Sequence, residues 1–138
     1  NIGGGGADKP LPRRSAYACY KAALVRFTET AAAELSGSGI DVNAVAPGPM
    51  ATQMMDEVLA ADPLAERAEV SDWPVMRAAR VVGWLASSDS DGLTGRYLSA
   101  RYDPLPFSRE QIETVMREDL YALRRVGRLR ADAMAEAA

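Results

Sequence analysis

One stretch, Ser15 to Leu35, constrains the chain more than any other. Within SAYACYKAALVRFTETAAAEL, Tyr20, Leu24, Phe27, Ala31 and Leu35 recur at spacings of four, three, four and four. That pattern predicts one apolar stripe on a helix of about five turns. Tyr17 and Lys21 also stand four apart. Four residues is just over one turn, so the phenol and the ammonium project from the same edge. A cation beside a phenol favours the phenolate, so this spacing would suit Tyr17 to work as a general acid or base. The same spacing also occurs on solvated helix faces, and the pair alone does not choose between the two readings.

The rest of the chain reads as alternating helices and strands. Gly37 and Gly39 end the first helix, after Ser15 as its N-cap. Ile40 to Ala46 is short and β-branched, which predicts a buried parallel strand, and Pro47-Gly48-Pro49 stops it. Thr52 can cap the following helical piece, Met54 to Ala61, whose Met54, Met55, Val58 and Leu59 either line a pliable pocket or simply pack. Asp62-Pro63 breaks that piece, and Ala65 to Asp72 is a charged loop. Pro74 to Ala86 predicts an amphipathic helix with Val75, Ala78, Ala79, Val82 and Leu85 on its buried face. Arg96 to Ala100 is a second strand. Ser108 with Gln111 three residues later is a capping box opening a helix to Val126, with Ile112, Val115, Leu120 and Leu123 packed inward. Arg124, Arg125, Arg128 and Arg130 follow, as the helix dipole favours near a C-terminus.

Composition removes several classes of function. The 138 residues make one domain, with a net charge of −3 and no basic stripe, which argues against nucleic acid or an anionic membrane as partner. No apolar run approaches the ~20 residues of a membrane span. The single Cys19 cannot form an internal disulfide, which fits a reduced, cytoplasmic setting. There is no histidine, and so neither the commonest general base nor a common metal ligand; no metal site is expected. The chain begins with Asn1 rather than methionine, which reads as a cut, a processed end or one half of something larger.

The order Tyr17-x-x-x-Lys21, an amphipathic helix, then GIDVNAVAPGPMATQM from Gly39 to Met54, resembles the short-chain dehydrogenase/reductase family. The likeness resumes at LASSDSDGLTGRYLSA, Leu85 to Ala100, and covers Asn1 to Ala100, leaving 101–138 as a variable C-terminal helical extension. The resemblance implies an α/β fold, the C-terminal half of a doubly wound parallel-sheet Rossmann-like domain, helix-rich and incomplete without its N-terminal half or a partner. It implies an NAD- or NADP-dependent oxidoreductase of a carbonyl or alcohol, with a small-molecule substrate. Tyr17 and Lys21 would be catalytic, and Lys21, Pro47, Gly48, Met50 and Thr52 would hold the nicotinamide side of the cofactor. The helix bearing Tyr17 would be a subunit interface, as in a homo-oligomer. In two respects the sequence departs from the family. Its catalytic serine lies about thirteen residues before the tyrosine, where this chain has Gly4, and the glycine pair usual after the last strand is replaced by Arg101-Tyr102. A truncated non-redox enzyme catalysing proton transfer, isomerisation or cyclisation, and a catalytically silent binding subunit, are therefore kept as alternatives.

Overall fold

The computed structural model describes residues 1–50, 52–61 and 73–124. In chain order these form α1 (Ser15–Glu34), β1 (Ala44–Ala46), α2 (Gln53–Ala61), α3 (Trp73–Leu85), a short 3-10 turn (Ser88–Ser90), β2 (Tyr97–Ser99) and α4 (Arg109–Arg117). β1 and β2 pair in parallel, with Ala44, Val45 and Ala46 opposite Tyr97, Leu98 and Ser99. Ile2 forms a parallel bridge to Val45 on the other side of β1, so the opening residues add a third parallel segment and β1 lies in the middle. Such pairing needs crossover connections, and α2 and α3 supply one between β1 and β2.

Alternation along β1 places a helix on each face of the sheet. Ala44 packs with Ala7 and Val25 on the α1 side, while Val45 packs with Ala78 and Val81 on the α3 side. This is the three-layer arrangement expected of a doubly wound sheet with apolar residues on both faces. The largest cluster joins Leu93, Leu98, Phe107, Ile112 and Val115 beneath α4, with the Trp84 ring edge-on to Phe107 at 6.1 Å. The strands are shorter than the predicted Ile40–Ala46 and Arg96–Ala100 because side chains replace the ladder at their entry. Asn43 donates to the Leu93 carbonyl at 2.6 Å and accepts from the Arg96 amide at 3.0 Å, and the Val42 amide donates to Thr94 Oγ1 at 2.9 Å.

Helix faces are where the sequence pattern and the structure differ. α1 has the predicted length, but the residues turned to the sheet are Val25, Thr28 and Ala32. Tyr20 and Phe27 are 61% and 59% exposed, and Leu24, Ala31 and Leu35 are only half-buried. The reason is close approach. A β-carbon on Gly95 would lie 3.3 Å from that of Ala32, so only small side chains fit between α1 and the strands. In α3 the buried positions are Ala78 and Val81, while Val75, Ala79 and Val82 face outward. Ser15 is the first helical residue rather than a cap, and Arg14 before it makes no side-chain capping bond. The side chains of Val58 and Leu59, and all of Asp62 to Asp72, lie outside the described residues.

α4 opens with the predicted capping box: Ser108 Oγ accepts from the Gln111 amide, and the Gln111 side chain accepts from the Ser108 amide. It stops nine residues later instead of running to Val126. Asp119 and Tyr121 adopt left-handed backbone, with φ of 53° and 56°, and the chain turns back along the outer edge of β2. There the Tyr97 amide donates to the Tyr121 carbonyl at 2.8 Å. The buried Arg96 guanidinium donates to Asp119 at 2.7 Å and to the Leu120 carbonyl at 3.0 Å, and Glu29 of α1 accepts from the Leu123 amide at 2.8 Å. This return segment covers a sheet edge that would otherwise expose unpaired backbone groups. Arg124 stacks its charge on Asp119 and Glu29; Arg125, Arg128 and Arg130 lie outside the described residues.

Hydrogen bonds from Arg124, and then from Arg96, hold the Asp119 carboxyl below its usual value. A carboxyl whose pKa is lower in the folded state stabilises the fold above its unfolded pKa and loses that contribution as pH falls through the folded value. Asp119→Asn is therefore expected to cost about 0.5–1 kcal/mol at neutrality, small because the carboxyl is 44% exposed. The variant should also show a shallower fall in stability below about pH 4, read from urea unfolding at several pH values.

Candidate active site at the carboxyl ends of the strands

The Gly3–Gly6 turn and the Pro47–Pro49 turn both leave the sheet at the carboxyl ends of neighbouring parallel segments, the position where open α/β sheets bind ligands. Tyr17 lies in the first turn of α1, 39% exposed, and Lys21 stands one turn further on. Lys21 Nζ is 5.6 Å from the centroid of the Tyr17 ring and 5.4 Å from that of Tyr20. The same ammonium donates to the Ile2 carbonyl at 2.9 Å. The Tyr17 hydroxyl rests over Gly4: a β-carbon there would stand 2.8 Å from that oxygen and 3.3 Å from Lys21 Cε. The structure thus brings Tyr17 and Lys21 together on the Ile2–Gly4 backbone.

Gly4 therefore lies beside the phenol and brings no side-chain hydroxyl of its own. Ser15, two residues before Tyr17, is exposed and caps nothing. Gly48 has a φ of 91°, left-handed backbone that a side chain would strain, which explains the glycine in the Pro47–Pro49 turn. Thr52 accepts the Met55 amide on its hydroxyl at 3.3 Å, so it is the N-cap of α2. Pro47 and Met50 are half-buried. Among the described residues no hydrogen bond or ion pair joins Tyr17 or Lys21 to Pro47, Gly48, Met50 or Thr52.

Two residues at this end of the sheet have little signal in the sequence. Arg101 lies against the Pro47–Gly48 turn, its β-carbon 3.6 Å from where one on Gly48 would stand, and its guanidinium is 5.3 Å from the Tyr102 ring centroid. Tyr97 of β2 donates its hydroxyl to the Gly4 carbonyl at 2.8 Å. Burial foremost, and then the nearby Asp8 carboxylate, pushes its phenol above the usual value, so it stays a neutral donor. The only hint of Tyr97 in sequence is an aromatic in a strand opposite a run of glycines. A groove of about 290 Å³ lined by Ile2, Val45, Val82 and Leu85 opens on the α3 face, away from Tyr17.

Residues 1–100 match a family described as enoyl-(acyl carrier protein) reductase. An uncharacterized oxidoreductase, YjdA, of Bacillus subtilis is 37% identical over 94 residues, which is 64% of this chain and 36% of that one. The crystal structure of acetoin dehydrogenase from Enterobacter cloacae superposes with a TM-score of 0.55 at 35% identity, over 78% of this chain and 44% of that one. A 3-oxoacyl-[acyl-carrier protein] reductase with bound NAD from Brucella melitensis gives 0.55 at 35% identity, over 72% and 37%. The chain therefore spans between about a third and a half of the length of these relatives. The family match covers well over half of the sequence, and with these relatives beside it the chain belongs to the short-chain dehydrogenase/reductase family.

Proposed function

We propose that this chain is the catalytic, C-terminal part of an NAD- or NADP-dependent oxidoreductase acting on a carbonyl or alcohol. One observation supports it most: the Tyr17 hydroxyl and Lys21 ammonium converge on the Ile2–Gly4 backbone at the carboxyl end of the sheet. A group reacting at Tyr17 would have direct access, because Gly4 puts no side chain in the way. Tyr17 is the proposed proton donor to a substrate oxygen in reduction and the acceptor in oxidation. Negative charge developing on Tyr17 meets the Lys21 ammonium, held at the right height by the Ile2 carbonyl.

The residues present fit a nicotinamide dinucleotide in their chemistry. Lys21 spends one donor on Ile2 and keeps the others for hydroxyl groups such as those of a ribose. The Pro47-Gly48-Pro49 turn and the α2 N-terminus behind Thr52, with Met50 between, supply backbone groups for a carboxamide. When bound, the dinucleotide would supply the hydride. The full site needs a complementing N-terminal half, and the exposed Tyr20 and Phe27 of α1 suit a subunit contact, as in a homo-oligomer. A cytoplasmic setting fits the unpaired Cys19, and no described helix is long and apolar enough to cross a membrane.

A second reading is favoured by Gly4. With no side-chain hydroxyl at position 4, the pair could serve proton transfer alone, or a silent binding role. The test is to follow the absorbance of reduced NADH or NADPH with a panel of ketones and aldehydes, using the polypeptide that carries this sequence. Carbonyl-dependent oxidation of the dinucleotide supports the first reading. Dinucleotide binding without turnover on any carbonyl would favour the second.

A further inference from the structure

Tyr17 and Lys21 rest on a short piece of backbone, Ile2 to Gly4, in which Gly3 and Gly4 have no side chains to hold it. Lys21 donates to Ile2, Tyr17 lies over Gly4, and Gly3 and Gly4 between them are both glycine. The sheet ladder fixes only the start of this piece, through the Gly3 amide on the Val45 carbonyl at 2.8 Å and the Val45 amide on the Asn1 carbonyl at 2.9 Å. The Gly4 carbonyl lies beyond that ladder. What holds it is Tyr97, reaching across from β2.

Three features make this reach possible. Tyr97 stands opposite Ala44 in register, and the alanine methyl leaves room for a ring to cross β1 beneath α1. The ring passes directly under Gly3, where a β-carbon would come within 2.6 Å of Cε2. The hydroxyl then donates to the Gly4 carbonyl at 2.8 Å. A residue larger than glycine at position 3 and a residue larger than alanine at position 44 would both collide with that path.

We propose that Tyr97 is a positioning residue for the Tyr17–Lys21 pair: its ring under Gly3 and its hydroxyl on Gly4 set the height of the backbone on which both side chains rest. The proposal deepens the reductase reading and rests on it for the catalytic consequence, but the geometry it asserts can be measured without turnover. Tyr97→Phe keeps the ring and removes only the hydroxyl. In the full polypeptide, with labelled tyrosine and lysine, it is expected to move the Tyr17 Cζ and Lys21 Nζ resonances. It is also expected to lower kcat about tenfold while KM for the dinucleotide holds, since a small misplacement of a catalytic group is felt mainly in the chemical step.

Gly3→Ala provides an independent arm, because its methyl must push the Tyr97 ring aside, whereas Gly5→Ala enters open space and serves as control. Movement at Tyr17 and Lys21 in either folded variant, with none in Gly5→Ala, supports the proposal. Resonances that stay unmoved in every folded variant of the two overturn it. Failure of the reductase reading would be seen separately, as a wild-type polypeptide that binds no dinucleotide while Tyr97→Phe still shifts both resonances.

Discussion

Tyr17→Phe is expected to lower carbonyl reduction about 10²–10⁴-fold, the loss that follows when a positioned proton donor is removed from the transition state. The substitution takes away one oxygen and nothing else. The hydroxyl lies over Gly4 and makes no protein hydrogen bond among the described residues, so the fold has little to lose. The thermal midpoint should stay within a few degrees of wild type, and KM for the dinucleotide should change far less than kcat. A variant that kept activity within about tenfold would mean that the proton comes from elsewhere. Lys21 is a less clean probe, since its bond to the Ile2 carbonyl makes it part of the local structure as well as the site.

The largest loss of stability is expected from Leu98→Ala, at about 3 kcal/mol within the range for fully buried leucines. Leu98 is completely buried at the centre of β2, among Leu93, Phe107, Ile112 and Val115. Its neighbours come from two loops and α4, and the Trp84–Phe107 and Phe107–Tyr121 ring contacts limit how far they can collapse into the space left. The effect should appear as a lower urea midpoint with an unchanged slope. The Tyr17 end of the sheet packs through a separate cluster of Ala7, Val25 and Ala44. A folded Leu98→Ala protein should therefore keep its Tyr17 and Lys21 resonances. A cost below about 1 kcal/mol would show that this core is looser than its burial implies.

Local signals in the sequence located most of the elements. The Ser108–Gln111 capping box opens α4, and Gly37 and Gly39 follow α1 in left-handed backbone. The Pro47-Gly48-Pro49 stop and the motif order placed Tyr17, Lys21 and the second turn at the same end of the sheet. What could not be read were features decided by distant partners. The apolar stripe on α1 runs through Tyr20 and Phe27, yet the face against the sheet is the one with small residues, because Gly95 approaches Ala32 so closely. The early end of α4 follows from Arg96 and Glu29 drawing the chain back along β2, contacts that span 23 and 94 residues. Tyr97 reaches Gly4 over 93 residues, and nothing local marks it. Thr52 shows the opposite limit: its helix cap was legible, whereas contact with a cofactor was implied only by family likeness.

Binding of a nicotinamide dinucleotide beside the Tyr17–Lys21 pair can be measured by calorimetric titration of NADH and NADPH. The polypeptide carrying this sequence would be compared with its Lys21→Met variant, with the mass of each in solution recorded. The account predicts micromolar binding of one of the two, weakened about tenfold or more by the loss of the ammonium's charge-assisted hydrogen bonds. No binding of either dinucleotide by a folded, monodisperse wild-type sample would contradict it.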